Sequence, residues 1–165
     1  MLQSYSQEKI LSIQKLSLIT ASAKARGKTI ALCHGCFDIL HTGHLRHFEV
    51  AKHVADIVIV TVTPDRFIRK GPGRPVFPED QRAELVAGLL AVDWVGINEW
   101  ESATETLRLL QPSFFVKGQE YETRAQEVNP NFLLEITVVK EIGAQMIFTN
   151  EETHSSTAAY QKLIS

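Results

Sequence analysis

Apolar and polar positions along this chain recur in two periods. Ile10, Ile13, Leu16 (or Leu18) and Ile19 mark one face of a helix over residues 4–26. Ser4 and Gln7 have capping-box spacing at its start, and Ala25-Arg26-Gly27-Lys28 gives a basic last turn and a glycine stop. From residue 29 onward, short β-prone runs alternate with amphipathic ones. Residues 29–33 predict a strand, and 42–55 a helix with Leu45, Phe48, Ala51, Val54 and Ala55 facing inward. The continuous β-branched run at 57–62 suits a strand covered on both faces. A loop rich in proline and glycine fills 64–78. A helix over 79–92 is expected to bury Leu85, Val86, Leu89 and Leu90. There follow a strand at 94–97, a helix at 102–110 stopped by Pro112, a strand at 114–116, a helix at 132–142, a strand at 146–148 and a closing helix at 155–164.

This alternation predicts an α/β fold: a Rossmann-like parallel five-stranded sheet with helices on both faces, joined by right-handed crossovers, plus an added N-terminal helix. Residues 1–28 read as a helical extension and 29–165 as one domain. A chain of 165 residues is long enough for a sizeable core. At 44% hydrophobic and 22% charged it has an ordinary globular composition. A net charge of −2 makes no global electrostatic case for nucleic acid or an anionic membrane. No apolar run approaches the roughly 20 residues of a membrane span. The start lacks the basic and apolar blocks of a secretory signal, and two cysteines three apart cannot staple a domain, which makes a cytoplasmic location the default expectation.

The candidate chemistry gathers between the first strand and the helix after it. Cys33-His34-Gly35-Cys36-Phe37-Asp38-Ile39-Leu40-His41-Thr42-Gly43-His44 is a strand end, a glycine-bearing turn and a helix start. In open α/β sheets the ligand crevice lies beyond the C-terminal ends of the strands. A helix N-terminus there offers unpaired N–H groups to an anion, and imidazoles add hydrogen bonds to phosphate oxygens. Cys33, Cys36, His41 and His44 are also four zinc-ligand types. Their spacing lacks the loop of about 12 residues that lets two ligand pairs converge, so no metal site is expected. Cys33 reads as a small buried apolar residue. Gly27-Lys28-Thr29 has the tail of a P-loop, but Ser22 stands where that motif needs its first glycine.

The ten residues from Gly35 to His44 resemble the His-x-Gly-His signature of the cytidylyltransferase-like nucleotidyltransferases. The resemblance runs in ordered segments to the C-terminus and is closest to the nucleotidyltransferase domain of ADP-heptose synthases. It implies an enzyme that joins a nucleoside triphosphate, ATP or CTP, to a phosphorylated sugar or polyol and releases pyrophosphate. Mg²⁺ would be bound through the triphosphate. His41 and His44 would contact the triphosphate as catalytic donors, with Gly35, Cys36, Phe37, Asp38 and Gly43 forming the nucleotide-binding turn. For Phe37, packing is the competing reading. Asp38 either orients His41 or a phosphate-bound Mg²⁺, or caps the turn.

Further along, Arg69-Lys70-Gly71-Pro72-Gly73-Arg74-Pro75 matches the family's basic loop. Lys70 takes the place of its catalytic lysine and Arg74 that of a substrate-binding arginine, and the glycines suit a lid. Arg82 matches an arginine near the nucleotide, against the plain reading of a surface helix arginine. Val116-Lys117-Gly118-Gln119-Glu120-Tyr121 resembles a Lys-Gly-Gly-Asp-Tyr segment of heptose-phosphate members, with Gln119-Glu120 departing from it; Lys117 and Gly118 are nucleotide-contact candidates. Ser155, Ser156 and Thr157 take the place of a hydroxyl-rich, phosphate-binding helix start. His154 there departs from the usual isoleucine. The family implies a homodimer, and relatives fused to a sugar kinase. Glycerol-phosphate cytidylyl transfer, and a non-catalytic nucleotide- or zinc-binding module, are the alternative readings.

Overall fold

The structure is a computed structural model and describes residues 4–122, 131–150 and 156–164. Five strands form one parallel sheet: β1 (Ile30–Gly35), β2 (Ile57–Val62), β3 (Trp94–Ile97), β4 (Phe114–Gly118) and β5 (Gln145–Thr149), in the order β3-β2-β1-β4-β5. The helices are α1 (Tyr5–Glu8), α2 (Ile13–Ala25), α3 (Thr42–Val54), α4 (Glu79–Ala87), α5 (Thr104–Leu110), α6 (Phe132–Glu141) and α7 (Ser156–Ile164). Both faces of β1 are apolar because both are covered. Ala31 and Cys33 pack with Phe48 and Ala51 of α3 and Val86 of α4. Ile30 and Leu32 pack with Leu16 of α2, Leu107 of α5 and Phe132 of α6. The chain builds outward from β1 to β3, then crosses back to place β4 on the other side of β1. The strand order therefore reverses between β1 and β4, which puts the ligand crevice of such a sheet at their C-terminal ends.

The N-terminal segment departs from a single helix. Ser4 caps α1 by accepting from Gln7 N–H, and Ser12 caps α2 by accepting from Lys15 N–H. Between them the backbone extends. Leu11 N–H donates to Val95 O and Val95 N–H to Lys9 O, both at 2.9 Å, so this segment covers the edge of β3. The apolar face of α2 is Ile13, Leu16 and Ala23, while Leu18 is exposed. That face lies on the chain's own sheet. At Gly96 of β3 an added Cβ would come 2.7 Å from Leu16 Cδ1, so the close approach of α2 needs a glycine there.

Two helix faces also differ from the sequence expectation. The helix expected over 79–92 stops at Ala87, and its buried face is Arg82, Ala83, Val86 and Ala87. Leu85 is 47% and Leu90 96% exposed. Arg82 faces inward from α4 with its buried guanidinium hydrogen-bonded, which leaves Leu85 on the outer face, and Leu90 lies beyond the end of the helix. In α3, Leu45 is 38% exposed and His47 is buried instead. β4 and β5 each run further than expected, to Gly118 and Thr149.

Candidate active site

α3 begins with an imidazole as its cap. His41 Nδ1 accepts from Gly43 N–H at 3.1 Å, which leaves the neutral ring's proton on Nε2. Gly43 thus acts through its backbone. The His44 ring stacks on His41, with centroids 3.9 Å apart, and meets the edge of Phe37. Burial, followed by the repulsion of His41, His47 and Lys70, lowers the His44 pKa to about 3. His44 is therefore neutral at physiological pH. Its Nδ1 is buried without a hydrogen-bond partner among the described residues. The pair stands at the positive end of a 13-residue helix beside the β1–β4 switch point.

The turn before α3 is held from below. Phe37 has a positive φ of 49° and packs on Phe48, and its ring lies against Gly35. Asp38 is buried. Its Oδ1 accepts from Val76 N–H at 2.8 Å and Phe77 N–H at 3.1 Å, and its Oδ2 from Arg74 Nε at 2.6 Å. The carboxylate thus pins the basic loop to the signature turn. The Arg74 guanidinium lies over the Tyr160 ring of α7, and its Nη2 is buried without a hydrogen-bond partner among the described residues. Tyr160 also fills the space where a Cβ on Gly73 would go. Lys70, further out on the same loop, is exposed, and its charge reaches His44 and Cys36.

Arg82 lies deeper than a ligand contact. It is fully buried, donating to Phe77 O, Cys36 O, Thr63 O and Asp65 Oδ1. It orders the turn through the Cys36 carbonyl. The Cys36 side chain is half-buried, and burial pushes its thiol pKa up. Lys117 is also interior. Its Nζ lies 3.3 Å from Glu135 Oε2 and donates to His34 O, inside an aromatic box of Phe115, Tyr121 and Phe132. Burial opposes the Lys117 charge, but Glu135 and Tyr121 outweigh it and the pKa is raised. Burial likewise opposes the Glu135 charge, but Lys117, His34 and the Ala103 N–H outweigh it and hold the carboxyl low. The pair is ionised. Gly118 ends β4 opposite Thr149. Thr157 is exposed in the first turn of α7. Ser155 lies outside the described residues, as does the Ser156 side chain.

Sequence reasoning passed over four groups here: His34, His47, Thr149 and Glu135. His47 had a signal, since it follows His44 at i+3 on one helix face. Glu135 had one too, as a lone acid on an apolar helix face. His34 Nδ1 lies 2.9 Å from Thr61 Oγ1, and burial and Lys117 lower its pKa to about 4. His47 is lowered to about 4 by the same two causes. His34, His44 and His47 each bind a proton in the unfolded chain below about pH 6.5 but not in the folded one until pH 3–4. Stability is therefore expected to fall as pH drops through that window, at up to about 1.4 kcal/mol per pH unit for each ring. Thermal melts at pH 7 and pH 5 check this; equal melting temperatures would refute it.

Among the described residues no group of three or more His, Cys, Asp or Glu side chains could hold a metal ion. Asp38 is committed to Arg74 and two backbone amides. The converging groups are donors and cations, which suit phosphate oxygens.

Residues 32–162 match the cytidylyltransferase-like family. The bifunctional protein HldE of Wolinella succinogenes is 36% identical over 140 residues, which are 84% of this chain and 29% of that protein. The bifunctional protein HldE of Pseudomonas entomophila is 42% identical over 119 residues, 70% of this chain and 25% of that protein. The chain thus spans under a third of the length of these relatives. A lipopolysaccharide core biosynthesis protein from Thermoplasma volcanium superposes with a TM-score of 0.63 at 22% identity, over 77% of this chain and 100% of that one. Pantoate-beta-alanine ligase from Francisella tularensis gives 0.61 at 18% identity, over 89% and 68%. At these identities the two structures show a shared fold.

Proposed function

The chain belongs to the cytidylyltransferase-like family, and from that premise we propose that it transfers a nucleotidyl group from ATP or CTP to a phosphorylated sugar. A heptose phosphate is the favoured acceptor and ATP the favoured donor, by the sequence resemblance to the nucleotidyltransferase domain of ADP-heptose synthases. The observation that carries the reading is the stacked His41–His44 pair at the switch point, with His41 capping α3 and His44 held neutral.

An acceptor phosphate oxygen attacks the α-phosphorus. The new P–O bond forms as the bond to the bridging oxygen of the β-phosphate breaks, and pyrophosphate leaves. Charge grows on the α-phosphate oxygens and on the departing bridge. The Nε2–H of His41, the His44 ring and the first amides of α3 are donors whose placement is set before the reaction, so little reorganisation is needed. Neutral rings donate without forming a tight ground-state ion pair with the triphosphate. The acceptor phosphate is already an anion, so no general base is required. Mg²⁺ enters as the Mg²⁺–nucleotide complex, the substrate form. Lys70 would meet the outer phosphates when its loop closes. Arg74 Nη2, already ordered by Asp38 and Tyr160, is left for an acceptor phosphate oxygen.

Pyrophosphate release across four nucleoside triphosphates and a panel of sugar and polyol phosphates, glycerol phosphate included, tests the reading. No release with any pair would refute it; release only with CTP and glycerol phosphate would move it to the alternative acceptor. Lys70→Ala is expected to lower activity at least tenfold while leaving the melt nearly unchanged, because an exposed loop lysine supports little core. A wild-type rate in that variant would remove Lys70 from the machinery.

A homodimer is part of the proposal, as is a cytoplasmic location; no helix among the described residues is long and apolar enough to cross a membrane. The apolar face of α2 is spent on the chain's own sheet, so α2 is not the proposed interface. Light scattering at micromolar concentration checks the dimer, and a monomer refutes it. A chain starting at Lys28 is expected to melt well below the full chain, since it exposes Leu107 and the edge of β3.

A further inference from the structure

We propose that His47 is a positioning residue for His41 and His44, acting through a hydrogen-bond chain from α3 to the ends of β5 and β4. His47 is buried, and its Nδ1 lies 2.8 Å from Thr149 Oγ1. The Thr149 hydroxyl donates its one hydrogen to Lys117 O at 3.3 Å. It must therefore accept from the ring, which puts the His47 proton on Nδ1. Thr149 stands beside Gly118 in the β4–β5 register, and Lys117 Nζ in turn holds His34 O of β1. One turn after His44, α3 is thus tied across the switch point to three neighbouring strands.

A buried imidazole is a poor filler when its polar atoms are idle, because each unpaired group keeps its desolvation cost. Here the ring is used as a directional donor. Burial and the nearby Lys117 lower its pKa to about 4, so the anchor is uncharged in the working range. His47 lies at i+3 from His44 on the same face of α3, so the anchor fixes the rotation of the helix and with it the direction of the His44 ring. A shift of a fraction of an ångström at donors aimed at a developing charge is costly to rate and cheap to binding.

The proposal rests on the nucleotidyltransferase reading, and its test has one arm that does not. In the full chain, Thr149→Val and His47→Leu each remove the hydrogen bond. Thr149→Ser and His47→Asn each keep it, since the Asn amide can donate from the place of Nδ1. The first pair is expected to lower kcat by about tenfold with the nucleotide KM within threefold, and the second pair to stay within threefold of wild type in both. The double variant Thr149→Val/His47→Leu should be no slower than the slower single one. Equal kcat in all variants would overturn the proposal, as would equal loss in the conservative pair. Long-range ¹H–¹⁵N spectra of the imidazoles read the geometry without turnover. They should show His47 protonated on Nδ1, and His44 ring shifts that move in Thr149→Val but not in Thr149→Ser. A His47 proton on Nε2, or unmoved His44 shifts, would overturn the proposal even if the wild type released no pyrophosphate and the functional reading had failed.

Discussion

Replacing His44 with alanine is expected to lower turnover by roughly 10²–10³ while leaving the fold in place, because that is the usual cost of one preorganised donor to a developing oxyanion. The ring is half-buried at the start of α3, stacked on His41 and edged by Phe37, and its Nδ1 has no hydrogen-bond partner among the described residues. Such a group contributes little to the core and much to whatever occupies the crevice. Its pKa, lowered to about 3 by burial and its neighbours, keeps it neutral through the physiological pH range. The loss in His44→Ala should therefore be nearly constant from pH 6 to pH 9. Steady-state pyrophosphate release at saturating substrate measures it. Unaltered turnover in a purified, folded variant would show that His44 does not meet the reacting phosphate.

Glu135→Ala is expected to cost about 3–5 kcal/mol of stability, since it leaves the Lys117 ammonium buried and unpaired. The carboxylate lies 3.3 Å from Lys117 Nζ and also accepts the Ala103 N–H at 3.0 Å, ahead of α5. Both side chains of the pair are almost wholly inaccessible. For a chain of this size the loss corresponds to roughly 6–20 °C in melting temperature. The double replacement Lys117→Met/Glu135→Leu should recover part of it, because no unpaired charge stays buried while the Ala103 N–H is left without its acceptor. Urea melts of the three variants decide the matter; a Glu135→Ala transition at the wild-type midpoint would mean that the pair is not coupled in solution.

Most of the architecture was legible from spacing. The β-branched run at 57–62 and the strand at 94–97 stand where the pattern placed them, because an element buried on both faces writes a continuous apolar run. The His41–His44 motif was legible because the ten residues from Gly35 to His44 resemble a family signature and stand between a strand and a helix start. Helix faces were harder to read. Leu85 has the hydrophobicity of a core residue, yet α4 turns Arg82 inward in its place, and Leu90 falls past the helix end. A guanidinium with four protein acceptors is a satisfied interior group, and nothing in its local sequence announces those acceptors. The same holds for Lys117, a basic residue at a strand end whose ion-pair partner lies on α6.

By itself the sequence determined the alternating α/β order, the turn that presents two histidines on a helix N-terminus, and the presence of a basic loop after β2. These are local properties, set by periodicity, capping and glycine placement within a few residues. Tertiary structure alone decided what each charged group faces. It turned Asp38 toward Arg74 and the loop backbone, enclosed Arg82 and Lys117, laid α2 on Gly96, and joined His47 to Thr149 across 102 positions. The reason is physical: the sign of a buried polar group's contribution depends on partners brought close only by the packed sheet, and a linear pattern carries no distance between them.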